Sequence, residues 1–212
     1  METRAEILDA AWHLARRDGL ASIAMRELGR EVGLGAQSLY GYFDSKAELY
    51  DAMFMQGQEQ FAQLAQRWPT DLGATENPRE SFKALIHEFA GFCVEDPVRY
   101  QLLFQRVIPE WAPSAESYAL AEERFAQLQA GLAGVGIHSD GAVDLWTAVM
   151  TGLTDQQISN DPGGDRWIRL VDEAVDMFFD HFATDSTSRE SEIDGINARG
   201  NRESAARSSG RG

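Results

Sequence analysis

The sequence predicts an all-α protein of about nine helices, a three-helix head followed by a larger helical body. Three observations carry that expectation. Apolar residues recur at three-to-four spacing along the 212 residues, the period of a helix with one buried face. No stretch of useful length alternates apolar and polar residues as a half-buried strand does. Helix-start signals recur, at Ser45, Asn77-Pro78 and Asp96-Pro97, each placing an N-cap before an apolar periodic run. The chain is long enough for a sizeable core. The expected division is a head over 1–45, a body over 46–184 and a disordered tail over 185–212.

In the head, Thr3 with Glu6 three residues on reads as a capping box. Ile7, Leu8, Ala11, Leu14 and Ala15 then form one buried stripe, and Gly19 ends the helix. Ile23 and Ala24 lead into Met25–Phe43, which reads as two short helices around a tight turn. Met25, Leu28 and Val32 share the first helix's buried stripe, and Gly33 supplies the positive φ that a sharp turn needs. Gly29, four residues earlier, lets the helices approach. The second helix, about 35–42, buries Leu39 and leaves Gln37, Ser38, Gly41 and Tyr42 on its other sides. This is the helix-turn-helix arrangement; an ordinary helical hairpin stays open on this stretch alone. Ser45-Lys46-Ala47-Glu48 is a second capping box. It starts a long helix that reaches Trp68 through Leu49, Met53, Phe61, Leu64 and Ala65. Lys46 beside the free amides of that first turn makes a phosphate clamp.

The body follows from its punctuation. Residues 69–77 form a loop, and the helix opened by Asn77-Pro78 buries Phe82, Leu85, Ile86, Phe89, Phe92 and Cys93. Asp96-Pro97 starts a short helix to about Val107, with Tyr100, Leu103 and Phe104. Pro109 and Pro113 break the chain, and a helix over 114–133 ends in the glycines of GLAGVG. Two final helices, 140–159 and 166–183, are the most apolar, and the turn Asn160-Asp161-Pro162-Gly163-Gly164-Asp165 makes them antiparallel neighbours. Beyond Asp185 hardly an apolar residue remains, a composition that cannot bury a core.

Charge and composition narrow the function. The net charge is −15, and it lies in the body, since acidic and basic residues nearly balance over 1–50. A strongly acidic body would repel phosphates and leave only the head able to approach nucleic acid; simple solubility explains it equally well. Asp9 and His13 interrupt any apolar core near the start, so no signal peptide is expected. No run of about eighteen apolar residues predicts a membrane span. The lone Cys93 excludes an internal disulfide and suits a reducing cytoplasm. Its nearest histidine in sequence, His87, falls on another helical face, so no activated nucleophile is expected. His13, His87, His138 and His181 are scattered without metal-ligand spacing. GLAGVG follows no strand and terminates a helix. No cofactor, metal site or catalytic group is expected.

The stretch LYGYFDSKAELYDAM, 39–53, resembles the segment that closes the DNA-binding domain of the TetR family of bacterial transcriptional regulators. Leu39, Tyr40, Phe43, Ser45, Lys46 and Leu49 stand in its register. The helix over 4–18 with its Gly19-Leu20 stop is similar to the family's first helix. Gly35-Ala36-Gln37 and Gly41 depart from the common pattern. The resemblance implies a homodimeric cytoplasmic repressor, not an enzyme, that binds a palindromic operator in double-stranded DNA and is released by a small molecule.

On that reading the candidate DNA contacts are Arg26, Ala36, Gln37, Ser38, Tyr40, Tyr42 and Lys46. Gln can read an adenine edge through two hydrogen bonds, while Ser, Tyr and Lys suit phosphates. Phe61, Phe89, Cys93, Tyr100, Phe104, Trp111, Tyr118, Trp146 and Met150 are the candidate ligand pocket, with ordinary core as the alternative for each. The acidic excess favours a cationic or neutral hydrophobic effector. Trp146, Val149, Leu153, Leu170, Val171, Ala174, Met177 and Phe178 are the candidate dimer interface, two helix pairs meeting as a four-helix bundle. The rival reading is a helical interaction or scaffold protein whose head no longer binds DNA.

Overall fold

A computed structural model of the chain describes residues 2–182; the expected tail, 185–212, lies outside the described residues. Nine helices occur among the described residues. They are α1 (Glu2–Asp18), α2 (Met25–Glu31), α3 (Ala36–Leu39), α4 (Lys46–Ala65), α5 (Pro78–Glu95), α6 (Pro97–Phe104), α7 (Ala115–Gly134), α8 (Asp140–Asn160) and α9 (171–182). No strand accompanies them among the described residues.

The caps explain most boundaries. The Ser45 side chain accepts from the Glu48 amide at 3.1 Å while Glu48 reaches back to the Asp44 amide at 2.6 Å. The reciprocal arm of the box thus lands one residue earlier than the usual pattern. Asn77 and Asp96 cap α5 and α6 in front of their prolines. Three expectations are corrected. Thr3 lies inside α1 rather than capping it, because the helix already begins at Glu2. α3 stops at Leu39, and 40–42 tighten into turns in which the Gly41, Tyr42 and Phe43 amides bond back to Ser38 and Leu39. The last helix begins at 171, after a 3-10 turn over Ile168–Leu170. Gln157 holds that entry, accepting from the Trp167 amide at 2.8 Å and donating to the Asp161 carbonyl.

Two apolar clusters form. The first joins Ile7, Leu14, Leu28, Leu39, Phe43, Leu49 and Met53 and also draws in Leu102, Leu103 and Ile108. The head therefore packs on the first half of α4 and on α6. At Gly57 of α4 an added Cβ would lie 2.9 Å from the Leu103 side chain, so the small residue allows α6 to seat there. The second cluster joins Phe82, Ile86, Leu132, Trp146, Met150, Val171, Val175 and Phe178 from α5, α7, α8 and α9.

Outside that second cluster, α5 and α9 are laced by an antiparallel ladder. Arg79 reaches Asp176 and Asp180, Lys83 reaches Asp176 at 2.9 Å, and His87 reaches Asp172 at 2.7 Å. The Lys83 hydrogen bond, and then the Lys83 and Arg79 charges, hold the Asp176 carboxyl below its ordinary range. A folded-state pKa below the unfolded one contributes stability above the unfolded pKa, lost as pH falls through the folded value. Asp176→Asn should therefore lower the neutral plateau of a melting-temperature profile and converge with wild type at acid pH, which flattens the acid limb. An unchanged acid limb would show that the ladder does not contribute to it.

Candidate nucleic-acid interface and ligand cavity

The head is built so that apolar residues fix its helices and polar ones remain outside. Leu28, Leu39 and Phe43 are fully buried, and Gly33 turns the chain between α2 and α3 with φ 69°. The Leu34 amide closes the turn on the Gly29 carbonyl at 2.7 Å. With Leu39 as the anchor, Gln37 and Ser38 in the first turn of α3 stand exposed. Arg26 is exposed, as are Tyr40 and Tyr42, at 47% and 39%. No core role explains either ring. The Ala36 side chain lies outside the described residues.

Lys46 is half-buried rather than free. Its Nζ donates to the Ala21 carbonyl at 3.0 Å and stands 5.3 Å from the Tyr50 ring centre. Tyr50 in turn donates to the Leu20 carbonyl at 2.6 Å, so the start of α4 is tied to the turn after α1. Arg4, which sequence reasoning passed over, lies 4.2 Å from the Phe43 ring centre and donates to the Tyr42 carbonyl at 2.6 Å. It braces the turn that presents the two tyrosines. No local pattern announces this, because the partners are 38 residues away.

The body encloses a cavity of about 980 Å³ between α4, α5, α6, α7 and α8. Of the candidate pocket residues, Phe61, Phe89, Tyr100, Phe104, Tyr118, Trp146 and Met150 line it. Phe61 is its aromatic hub, with ring centres of Phe89, Phe92, Phe104 and Trp68 all within 6 Å. The exposure of Phe104, Tyr118 and Phe125 belongs to the walls of this cavity. Two expected members are elsewhere. Cys93 is fully buried and absent from the lining, and burial pushes its thiol pKa up. Trp111 packs edge-on to Tyr50 and Phe54 and donates to the Ala47 carbonyl. It seals the first half of α4, because the 105–114 loop turns back toward the head. Gln58, Trp68, Phe125, Thr147 and Thr151 line the cavity and were not expected there. Tyr118, Ala121 and Phe125 at helical spacing are the signal that points to Phe125.

The apolar face of α8 and α9 divides in two. Trp146, Val171 and Phe178 are 2%, 0% and 6% exposed inside the protomer's own core, so they cannot serve as interface contacts. Each fills the space between α5, α8 and α9. Leu153, Leu170 and Ala174 are half-buried, while Val149 and Met177 are exposed, as is Leu145, which was not expected. Among the described residues no helix is long and apolar enough to cross a membrane, and no cluster of three metal-ligating side chains forms.

Residues 7–53 match the family model described as bacterial regulatory proteins, tetR family. The HTH-type transcriptional repressor Rv1353c of Mycobacterium tuberculosis is 24% identical over 144 residues, 68% of this chain and 52% of that protein. The chain thus spans about half the length of the curated relatives it matches. A tetR-family transcriptional regulator from Streptomyces coelicolor superposes with a TM-score of 0.65 at 17% identity, over 93% of this chain and 87% of that one. The multidrug binding protein EbrR, solved with malachite green, gives 0.59 at 21% identity over 84% and 98%. These relatives and neighbours are regulators or binding proteins, not enzymes. Residues 7–53 thus carry the match to the tetR-family model, and the helical body beyond them follows the same fold as these solved regulators.

Proposed function

We propose that the protein is a cytoplasmic repressor that binds a palindromic operator as a homodimer and leaves it when a small hydrophobic molecule enters the body. The observation that carries this is the exposed Gln37-Ser38 pair above the buried Leu39 anchor, flanked by two solvent-facing tyrosines. Gln37 enters the major groove and reads a base edge, with Arg26 and Ala36 beside it. Ser38, Tyr40, Tyr42 and Lys46 hold phosphates and set register. Lys46 keeps two ammonium protons for that task beyond the one given to Ala21.

The functional division is a head over 1–45 and a body over 46–184, joined by α4. That helix starts at Lys46 and carries Phe61 into the cavity wall. A ligand that displaces α4 therefore shifts the head. Recognition helices of a dimer must lie ~34–36 Å apart, or a multiple of it, to use successive major grooves, so a small tilt suffices for release. The cavity size suits a drug-sized apolar molecule. EbrR, a multidrug binding protein whose fold is similar, was solved with malachite green. The exposed Leu145, Val149 and Met177 supply the face on which two copies meet.

The test is selection of duplexes from a random pool, followed by anisotropy titration at several salt concentrations. Affinity should fall steeply with salt, as expected when cationic groups displace counterions. Lys46→Ala should weaken all duplexes alike, whereas Gln37→Ala should cost about 1–3 kcal/mol at the selected site only. Absence of duplex binding at low salt would replace this reading with that of a helical interaction protein.

A further inference from the structure

The cavity wall carries an unmet hydrogen-bonding demand of one sign. Gln58, on α4 one turn before Phe61, is 1% exposed and lines the cavity, and its Nε2 has no hydrogen-bond partner. A second lining residue, Arg124 on α7, also leaves its buried Nε unpartnered, although its other nitrogens meet Gln127 and Glu123. Both orphaned groups are donors. A buried donor without an acceptor costs free energy that an incoming acceptor recovers. The remaining wall is predominantly apolar and aromatic, as around Phe61, Phe104 and Trp146.

Carboxylates are correspondingly scarce. Among the described residues the charged lining groups are Glu122 and Arg124, and Glu122 is exposed to solvent. Asp155 stands behind the wall, with Oδ1 accepting from the Tyr100 hydroxyl at 2.8 Å and from Gln105 at 2.6 Å. A cation held against the apolar wall, away from solvent-exposed Glu122, would be desolvated without a counter-charge, which is costly.

Building on the reading of this cavity as an effector site, we propose that its effector is an uncharged, largely apolar ring compound bearing a hydrogen-bond acceptor, a ring ketone or lactone oxygen, which docks on Gln58 Nε2. Gln58 is then the specificity residue of the cavity, and its position on α4 places recognition on the helix that leads to the head.

Three probes of one shape test this by calorimetry on the full chain: tetralin, 1-tetralone and protonated 1-aminotetralin. Wild type should bind 1-tetralone about tenfold more tightly than tetralin, as a hydrogen bond to a buried orphan donor requires, and the ammonium should bind most weakly. Gln58→Met, nearly equal in volume, should erase the tetralone preference and leave tetralin affinity unchanged. Without ligand it should also melt a few degrees higher than wild type, having lost an unpaired polar group. Equal binding of tetralin and tetralone, or tightest binding of the ammonium, overturns the acceptor requirement while leaving the cavity as a ligand site. If none of the three binds at millimolar concentration, the effector-site reading falls as well. The wild-type ranking decides between these outcomes even if the variant does not fold.

Discussion

Val171→Asp is expected to destabilise the protomer strongly, whereas Met177→Asp is expected to leave its stability intact and make it monomeric. The two residues lie on the same helix, six positions apart, and both read as interface in the sequence. Val171 is fully buried between α5 and α8, while Met177 is 67% exposed. A carboxylate at Val171 has no partner in an apolar cluster. Its cost should be on the order of 4 kcal/mol, among the largest single-substitution effects, and roughly a 10 °C loss in melting temperature for a domain of this size. At Met177 the protomer's own stability should change by about 0.5 kcal/mol or less. Its charge would instead face a second copy across the two-fold, where like charges meet and apolar contact is lost. Sedimentation should then show monomers, and duplex affinity should collapse because two half-sites are no longer engaged together. A Met177→Asp variant that remains dimeric and holds its operator would move the interface away from the exposed α8 and α9 residues.

Asp96→Ala is expected to uncouple the head from the body. Asp96 caps α6, accepting from the Arg99 amide at 3.1 Å, and also takes Arg16 of α1 at 2.6 and 3.1 Å. It is 8% exposed. Close by, Trp12 of α1 donates to Gln56 of α4 at 2.7 Å, so head, linking helix and cavity-side helix share one polar seam. Losing the cap costs about 1 kcal/mol, and losing the Arg16 pair adds a smaller amount, because Arg16 is half exposed and can return to water. The larger effect is functional. Binding of DNA and of ligand at separate sites should each survive, while the factor by which one weakens the other, typically 5–150-fold, should fall toward one. Asp96→Asn keeps an acceptor for the cap and removes the charge, so it should show the loss of coupling with a smaller loss of stability. Titrating the duplex with and without ligand, and the ligand with and without duplex, checks both directions of the linkage. Undiminished coupling in both variants would exclude the seam as the route.

Much of the protein is written locally and could be read without coordinates. Helices declare themselves through caps and period, because the Ser45, Asn77 and Asp96 signals act within one turn of their own position. The helix-turn-helix is legible for the same reason: Leu28, Gly33 and Leu39 satisfy packing and backbone demands within a dozen residues. Most of the cavity aromatics were also foreseeable, since large side chains on several helices of one body converge when the helices pack.

Partition of a shared surface was decided only by tertiary structure. Periodicity shows that α8 and α9 carry more apolar positions than one stripe, but not which are used internally. That choice depends on the rotation of each helix against α5, which places Trp146, Val171 and Phe178 inside and Val149 and Met177 outside. Trp111 was misplaced because a loop's path is set by what its ends pack on, and no local period constrains it. Gln58 could not be found at all. A glutamine in a helix is ordinary in sequence, and becomes informative only when packing removes water from its amide and supplies no partner. Burial is a property of the assembled helices, and an unmet hydrogen bond exists only once burial has occurred.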